Sequence, residues 1–132
     1  MRRGSCLCGA VSFEVSCELT PPDACHCSQC RKISGHYWAS TDVPRGAVSI
    51  EGEQQVRWYQ SSEKVRRGFC QSCGSPLFWD VEGRANLAIS MGAFENPTGT
   101  RLAKHIFVPD KGDYYEIADG LPQHARSPQE IQ

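Results

Sequence analysis

Val11, Phe13 and Val15 alternate with Ser12, Glu14 and Ser16. A period of two sends alternate side chains to opposite faces, so this stretch reads as a strand with one buried face and one wet face. Similar short runs recur at HYWASTDV (36–43), AVSIEG (47–52), QQVRWYQ (54–60), SPLFWDVEG (75–83), NLAISMG (86–92) and KHIFVPD (104–110). Turn formers separate them, among them Pro44-Arg45-Gly46, Glu82-Gly83 and Asn96-Pro97-Thr98-Gly99. Short strands with frequent turns predict a mainly β, largely antiparallel domain. The exception is SQCRKISG (28–35), which predicts a short helix stopped by Gly35. The closing stretch LPQHARSPQEIQ (121–132) is polar and carries two prolines, which predicts loose ordering of its last few residues.

Size and charge narrow the picture. At 132 residues, 39% of them hydrophobic, the chain suits one domain over 1–132 with one core. Its 14 Lys and Arg against 15 Asp and Glu leave a formal net charge of −1, and Arg2-Arg3, Arg31-Lys32 and Arg66-Arg67 are scattered. No broad positive field favours nucleic acid or an anionic membrane. No apolar run approaches the roughly 20 residues of a membrane span, and MRRGSCLCGAVSFEV has no signal-peptide core. The expectation is a soluble, cytoplasmic protein of unspecified oligomeric state.

Eight cysteines then need a reason, because a reducing compartment keeps ordinary pairs open and favours metal binding or catalysis. Seven of them form Cys6-x-Cys8, Cys25-x-Cys27-x-x-Cys30 and Cys70-x-x-Cys73, with Cys17 alone. Eight is an even number, which keeps disulfides as an alternative; the tight spacing within each group argues against it. Two short chelates brought together make the closed tetrahedron of a structural zinc, and Cys6, Cys8, Cys70 and Cys73 fit that count. Spacing alone leaves open which pairs share an ion, but four plus three is the simplest division. A three-ligand zinc keeps one position for water or substrate. A fourth ligand from His26, His36 or Cys17 would instead close the site. His26 lies between Cys25 and Cys27, and in extended backbone it turns away from both. Three thiolates make a soft, electron-rich site that suits a substrate sulfur better than water.

The segments GSCLCGAVSFEV, CHCSQCRKISG and GFCQSCGSPLFW, in that order, resemble the glutathione-dependent formaldehyde-activating enzyme family, which includes centromere protein V. The resemblance runs from about Gly4 to Pro122, since KHIFVPDKGDYYEIADGLP is similar to that family's closing segment. It implies a small zinc-containing β fold of the kind shared with methionine-R-sulfoxide reductases, with one or two short helices. It also implies a structural zinc on Cys6, Cys8, Cys70 and Cys73 and a catalytic zinc on Cys25, Cys27 and Cys30. The activity implied is carbon–sulfur lyase chemistry that joins formaldehyde to glutathione as S-hydroxymethylglutathione.

A glutathione-like thiol carries carboxylates, and Arg31, Lys32, Arg66, Arg67 and Lys104 are the cations near motif segments. Trp38, Trp58 and Trp79 lie in strand patterns, where core packing is the first expectation and a pocket wall the second. A zinc-stapled binding module without catalysis is the competing function. Methionine sulfoxide reduction needs a reactive cysteine outside the zinc groups, and Cys17 alone is left for it.

Overall fold

A computed structural model describes residues 1–127. The final residues expected to be loosely ordered, 128–132, lie outside the described residues. The described residues form ten strands and one α-helix: β1 (Arg2–Ser5), β2 (Ser12–Val15), β3 (Asp23–Cys25), α1 (Ser28–Ser34), β4 (Trp38–Pro44), β5 (Val48–Glu51), β6 (Val56–Gln60), β7 (Val65–Cys70), β8 (Pro76–Val81), β9 (Asn86–Ser90) and β10 (Lys104–Ile106). They build a three-stranded sheet in the order β1-β2-β5 and a seven-stranded sheet in the order β10-β3-β4-β9-β8-β7-β6. The β10–β3 pair is parallel and the other pairs are antiparallel. The fold is therefore mainly β, as the alternation predicts. No helix among the described residues is long and apolar enough to cross a membrane.

The alternating face of β2 makes the main core. Val11, Phe13 and Val15 are buried and pack with Val43, Leu77, Phe78, Leu87, Ile89 and Phe94. Phe13 meets Phe78 and Phe94 edge-on, with ring centroids 5.9 and 5.2 Å apart. Rings that meet edge to face gain beyond the area they bury, and truncating a buried Phe to Ala typically costs about 3–5 kcal/mol. Cys17, the unpaired cysteine, packs against this core. A second, smaller cluster joins Cys27, Cys30, Trp38, Ile106 and Phe107.

Three strands had no alternation to betray them. β1 is RRGS, β3 has three residues, and β7 is VRRGFC, whose buried positions include Arg67. The helix matches its expectation at both ends. Cys27 caps its start, accepting from the Cys30 amide at 3.4 Å, and Gly35 ends it in the left-handed region at φ 83°. Past β10 the closing segment runs alongside it: the His105 amide donates to Pro122, and the His124 amide to His105.

Gly52 supports the loop that carries Cys8. It sits at φ 78°, and a Cβ there would fall 1.9 Å from the Ala10 carbonyl oxygen. Gly52→Ala should therefore lower stability by at least about 2 kcal/mol, from left-handed strain plus displacement of that loop. Gly46→Ala, where a Cβ meets nothing within 4 Å, should melt like the unaltered protein. Paired thermal melts decide the point, and equal melting of the two variants would refute it.

Candidate functional site

The seven clustered cysteines form two groups. Cys6 and Cys8 lie between β1 and β2, while Cys70 ends β7 and Cys73 follows in the turn to β8. Their four Sγ atoms all lie within 4.8 Å of one another. Thiolates about 2.3 Å from a tetrahedral zinc stand about 3.8 Å apart. Cys6 Sγ to Cys8 Sγ and Cys8 Sγ to Cys70 Sγ are each 3.7 Å, so the donor set fits such an ion. The Val11 amide donates to Cys6 Sγ at 3.3 Å. Hydrogen bonds from Ser75, hydroxyl first and then backbone, hold Cys73 down to about 5, the direction a metal thiolate needs.

The second group is Cys25, Cys27 and Cys30, whose Sγ atoms also lie within 4.8 Å of one another. Cys25 ends β3, Cys27 caps α1, and Cys30 sits in its first turn. Three thiols this close do not ionise independently. Hydrogen bonds from Cys25 and then Cys30 hold Cys27 well below the ordinary thiol range, and the contact with Cys27 pushes Cys25 far above it. A dication would satisfy all three at once, so this set also fits a soft metal ion. Among the described residues, no fourth thiol, imidazole or carboxylate joins the group.

The candidates for a fourth ligand are engaged elsewhere. His26 turns to the opposite side of the strand, as its place between two converging cysteines predicts. There Tyr115 Oη donates to His26 Nδ1 at 2.7 Å, and His26 Nε2 lies 2.8 Å from His105 Nδ1. His105 Nε2 lies 2.7 Å from Asp119, whose carboxylate the Leu121 amide and then His105 hold below its ordinary range. One assignment of protons satisfies every atom. His105 Nε2–H donates to Asp119, His26 Nε2–H donates to His105 Nδ1, and Tyr115 donates to His26. Burial, and then His105, hold His26 down to about 4, so it stays neutral. His36 packs against Tyr115 with the rings tilted by 53° and their centroids 4.1 Å apart.

A cavity of about 340 Å³ opens onto all three cysteines. Trp38, Trp79 and Ile106 form apolar wall, so Trp38 and Trp79 serve as pocket wall as well as packing. Trp58 instead stacks on Phe78, with Arg66 lying 3.9 Å above its ring. Of the five cations proposed for substrate carboxylates, Arg67 and Lys104 line the cavity. Arg66 points away to Asp80 at 2.8 Å, Lys32 is exposed, and neither it nor Arg31 reaches the wall. Sequence reasoning missed Arg84, which grips Asp42 with two bonds of 3.0 and 2.7 Å, and Asp23, which faces Lys104 at 4.0 Å. All four line the cavity. No motif flags Asp23, Asp42 or Arg84, because only the pairing of β3 with β10 and β4 with β9 brings these segments to the side where Lys104 lies.

The description of the glutathione-dependent formaldehyde-activating enzymes matches residues 1–110. The chain belongs to that family. It is 34% identical over 127 residues to a protein of Halomonas elongata named for the same activity, covering 86% of this chain and 79% of that one. It is 28% identical over 118 residues to an uncharacterised lyase of Schizosaccharomyces pombe, covering 88% and 85%. A crystal structure of a Rhodobacter sphaeroides protein shares the fold, with a TM-score of 0.61 at 22% identity, over 76% of this chain and 99% of that one.

The buried histidine chain yields a test. Tyr115→Phe strips the donor from His26 Nδ1 and should cost about 1–3 kcal/mol, the penalty of an unsatisfied buried acceptor. Tyr114, 60% exposed and bonded to the Gly35 carbonyl at 2.9 Å, should lose well under about 1 kcal/mol as Phe. Denaturant unfolding of both variants measures this, and a Tyr115→Phe curve matching the parent would show that the chain of bonds does not form.

Proposed function

We propose that this protein is a zinc-dependent carbon–sulfur lyase acting on a small, glutathione-like thiol and an aldehyde, or on their S-hydroxymethyl adduct. The observation that carries the reading is the contrast between the two sulfur groups: one has four cysteines, the other three and a cavity above them. In this reading Cys6, Cys8, Cys70 and Cys73 hold a structural zinc, and Cys25, Cys27 and Cys30 hold a catalytic one. Zinc on the triad supplies a soft Lewis acid that favours a substrate sulfur in its thiolate form.

The chain's own residues do the rest. Cys25, Cys27 and Cys30 occupy one side of the strand–helix junction and leave the cavity side free. Trp38, Trp79 and Ile106 exclude water around the reacting atoms. Lys104 and Arg84 supply positive charge at the wall for carboxylates of the thiol, and Asp23 and Asp42 supply acceptors for its ammonium group. In the forward direction a carbon–sulfur bond forms as the carbonyl π bond opens, and the thiol proton ends on the new hydroxyl. The reverse direction releases aldehyde and thiol. We place this activity in a single domain over 1–132 and in the cytoplasm, where soluble thiols are abundant.

Two expected outcomes test the division of labour. The fully loaded chain should carry two zinc ions; Cys73→Ser should aggregate or unfold, whereas Cys30→Ser should stay folded with one zinc and lose activity. Metal analysis with thermal melting reads both, and equal early melting would make the triad a structural staple. With cobalt in place of zinc, adding glutathione should strengthen the sulfur-to-metal charge-transfer band, and Cys30→Ser should abolish the change. If glutathione, cysteine and 2-mercaptoethanol all leave the spectrum unaltered, the lyase reading fails.

A further inference from the structure

Arg67 is 6% exposed, yet among the described residues it has no carboxylate partner. Its Nη1 lies 3.7 Å from Cys30 Sγ, its Nη2 donates to Gln29 Oε1 at 3.1 Å, and its Nε is buried without a partner. The neighbouring arginines are treated differently: Arg66 and Arg45 share Asp80, and Arg84 holds Asp42. A buried guanidinium stays charged, and burying such a charge without a counter-charge costs several kcal/mol. Among the described residues, the group able to carry negative charge that Arg67 touches directly is the Cys30 sulfur, with Cys27 close enough to feel its charge.

We propose that Arg67 is a positioning residue of the triad centre: acting through Cys30, it offsets the negative charge of clustered thiolates and so favours an anionic sulfur over a neutral ligand at the fourth position. This rests on the proposed function and assigns one of its specificity determinants. Three thiolates already outnumber the charge of a dication, and a fourth widens the excess. Left uncompensated in a cavity walled by tryptophan, that excess would oppose binding of the substrate thiolate. Arg67 supplies the missing charge at the ligand where it can act most directly. A donor on a ligating sulfur also draws charge from it, which leaves the metal a better acceptor for another sulfur. Gln29, one residue before Cys30, fixes the guanidinium so that its planar fork meets the sulfur instead of swinging into the cavity. With both Nη groups engaged in this way, Arg67 belongs to the metal centre and leaves substrate carboxylates to Lys104 and Arg84.

The test uses the full cobalt-loaded chain, titrated at one fixed pH with 2-mercaptoethanol as the thiolate probe and imidazole as the neutral probe. In Arg67→Gln the dissociation constant for 2-mercaptoethanol should rise about 10-fold or more, while that for imidazole should stay within about 3-fold. A purely structural role would weaken both probes alike, and that result, or no change in either, overturns the inference. If Arg67→Gln fails to hold its metal, Arg67→Lys decides instead: it keeps the charge, so it should keep the preference for thiolate, and loss of that preference overturns the inference. A wild-type chain deaf to all thiols would defeat the proposed function with it, whereas a wild-type response insensitive to Arg67 defeats this inference alone.

Discussion

Seven sulfur atoms have to converge on two points, and the rest of the fold can be understood as the means of bringing them there. Cys8 and Cys70 lie 62 positions apart in sequence, yet their Sγ atoms are 3.7 Å apart. That approach brings together the turns of two hairpins, β1–β2 and β7–β8, which belong to different sheets. A metal ion held there would do what a disulfide does in an oxidising compartment, tying two sheets together at the edge of a small core. The core between them joins the sheets through Phe13 and Phe78, whose rings meet edge to face with centroids 5.9 Å apart.

The triad obeys a more local rule. Cys25 and Cys27 point the same way because a strand sends alternate residues to one face, and Cys30 joins them because one turn of helix returns the chain to that side. The residue between them must then face backward, and the protein uses that position. His26 enters a chain of bonds that runs from Tyr115 to Asp119, in the segment that follows β10. The closing segment thus locks the rear of the ligand loop while Arg67 and Gln29 hold its front.

How much of this could be read from the sequence follows the same division between local and distant. The cysteine groups, the helix with its glycine stop and the strands with clean alternation were legible, because chelates, caps and pleats are set by residues a few positions apart. β7 was not, since Arg67 occupies an inward position and breaks the apolar pattern; the buried charge that the triad requires is the reason the strand does not look like one. The histidine chain was illegible for a different reason. Its members are separated by 79 and 89 positions, and nothing near Tyr115 marks it as the partner of His26.

Both sulfur groups begin from the same chemistry and diverge through their surroundings. Around Cys6, Cys8, Cys70 and Cys73, Ser75 and the Val11 amide donate to sulfur, and the four sulfurs would complete the tetrahedron of a metal ion held there. Around Cys25, Cys27 and Cys30 the protein supplies one sulfur fewer and one buried cation more. A missing anion and an added cation push in the same direction: together they leave a place whose charge is best balanced by an incoming thiolate. Closing such a site with a fourth cysteine would satisfy the metal and abolish that place. Removing Arg67 would keep the place open and take away its preference for sulfur, so the open position and the buried guanidinium are two halves of one device.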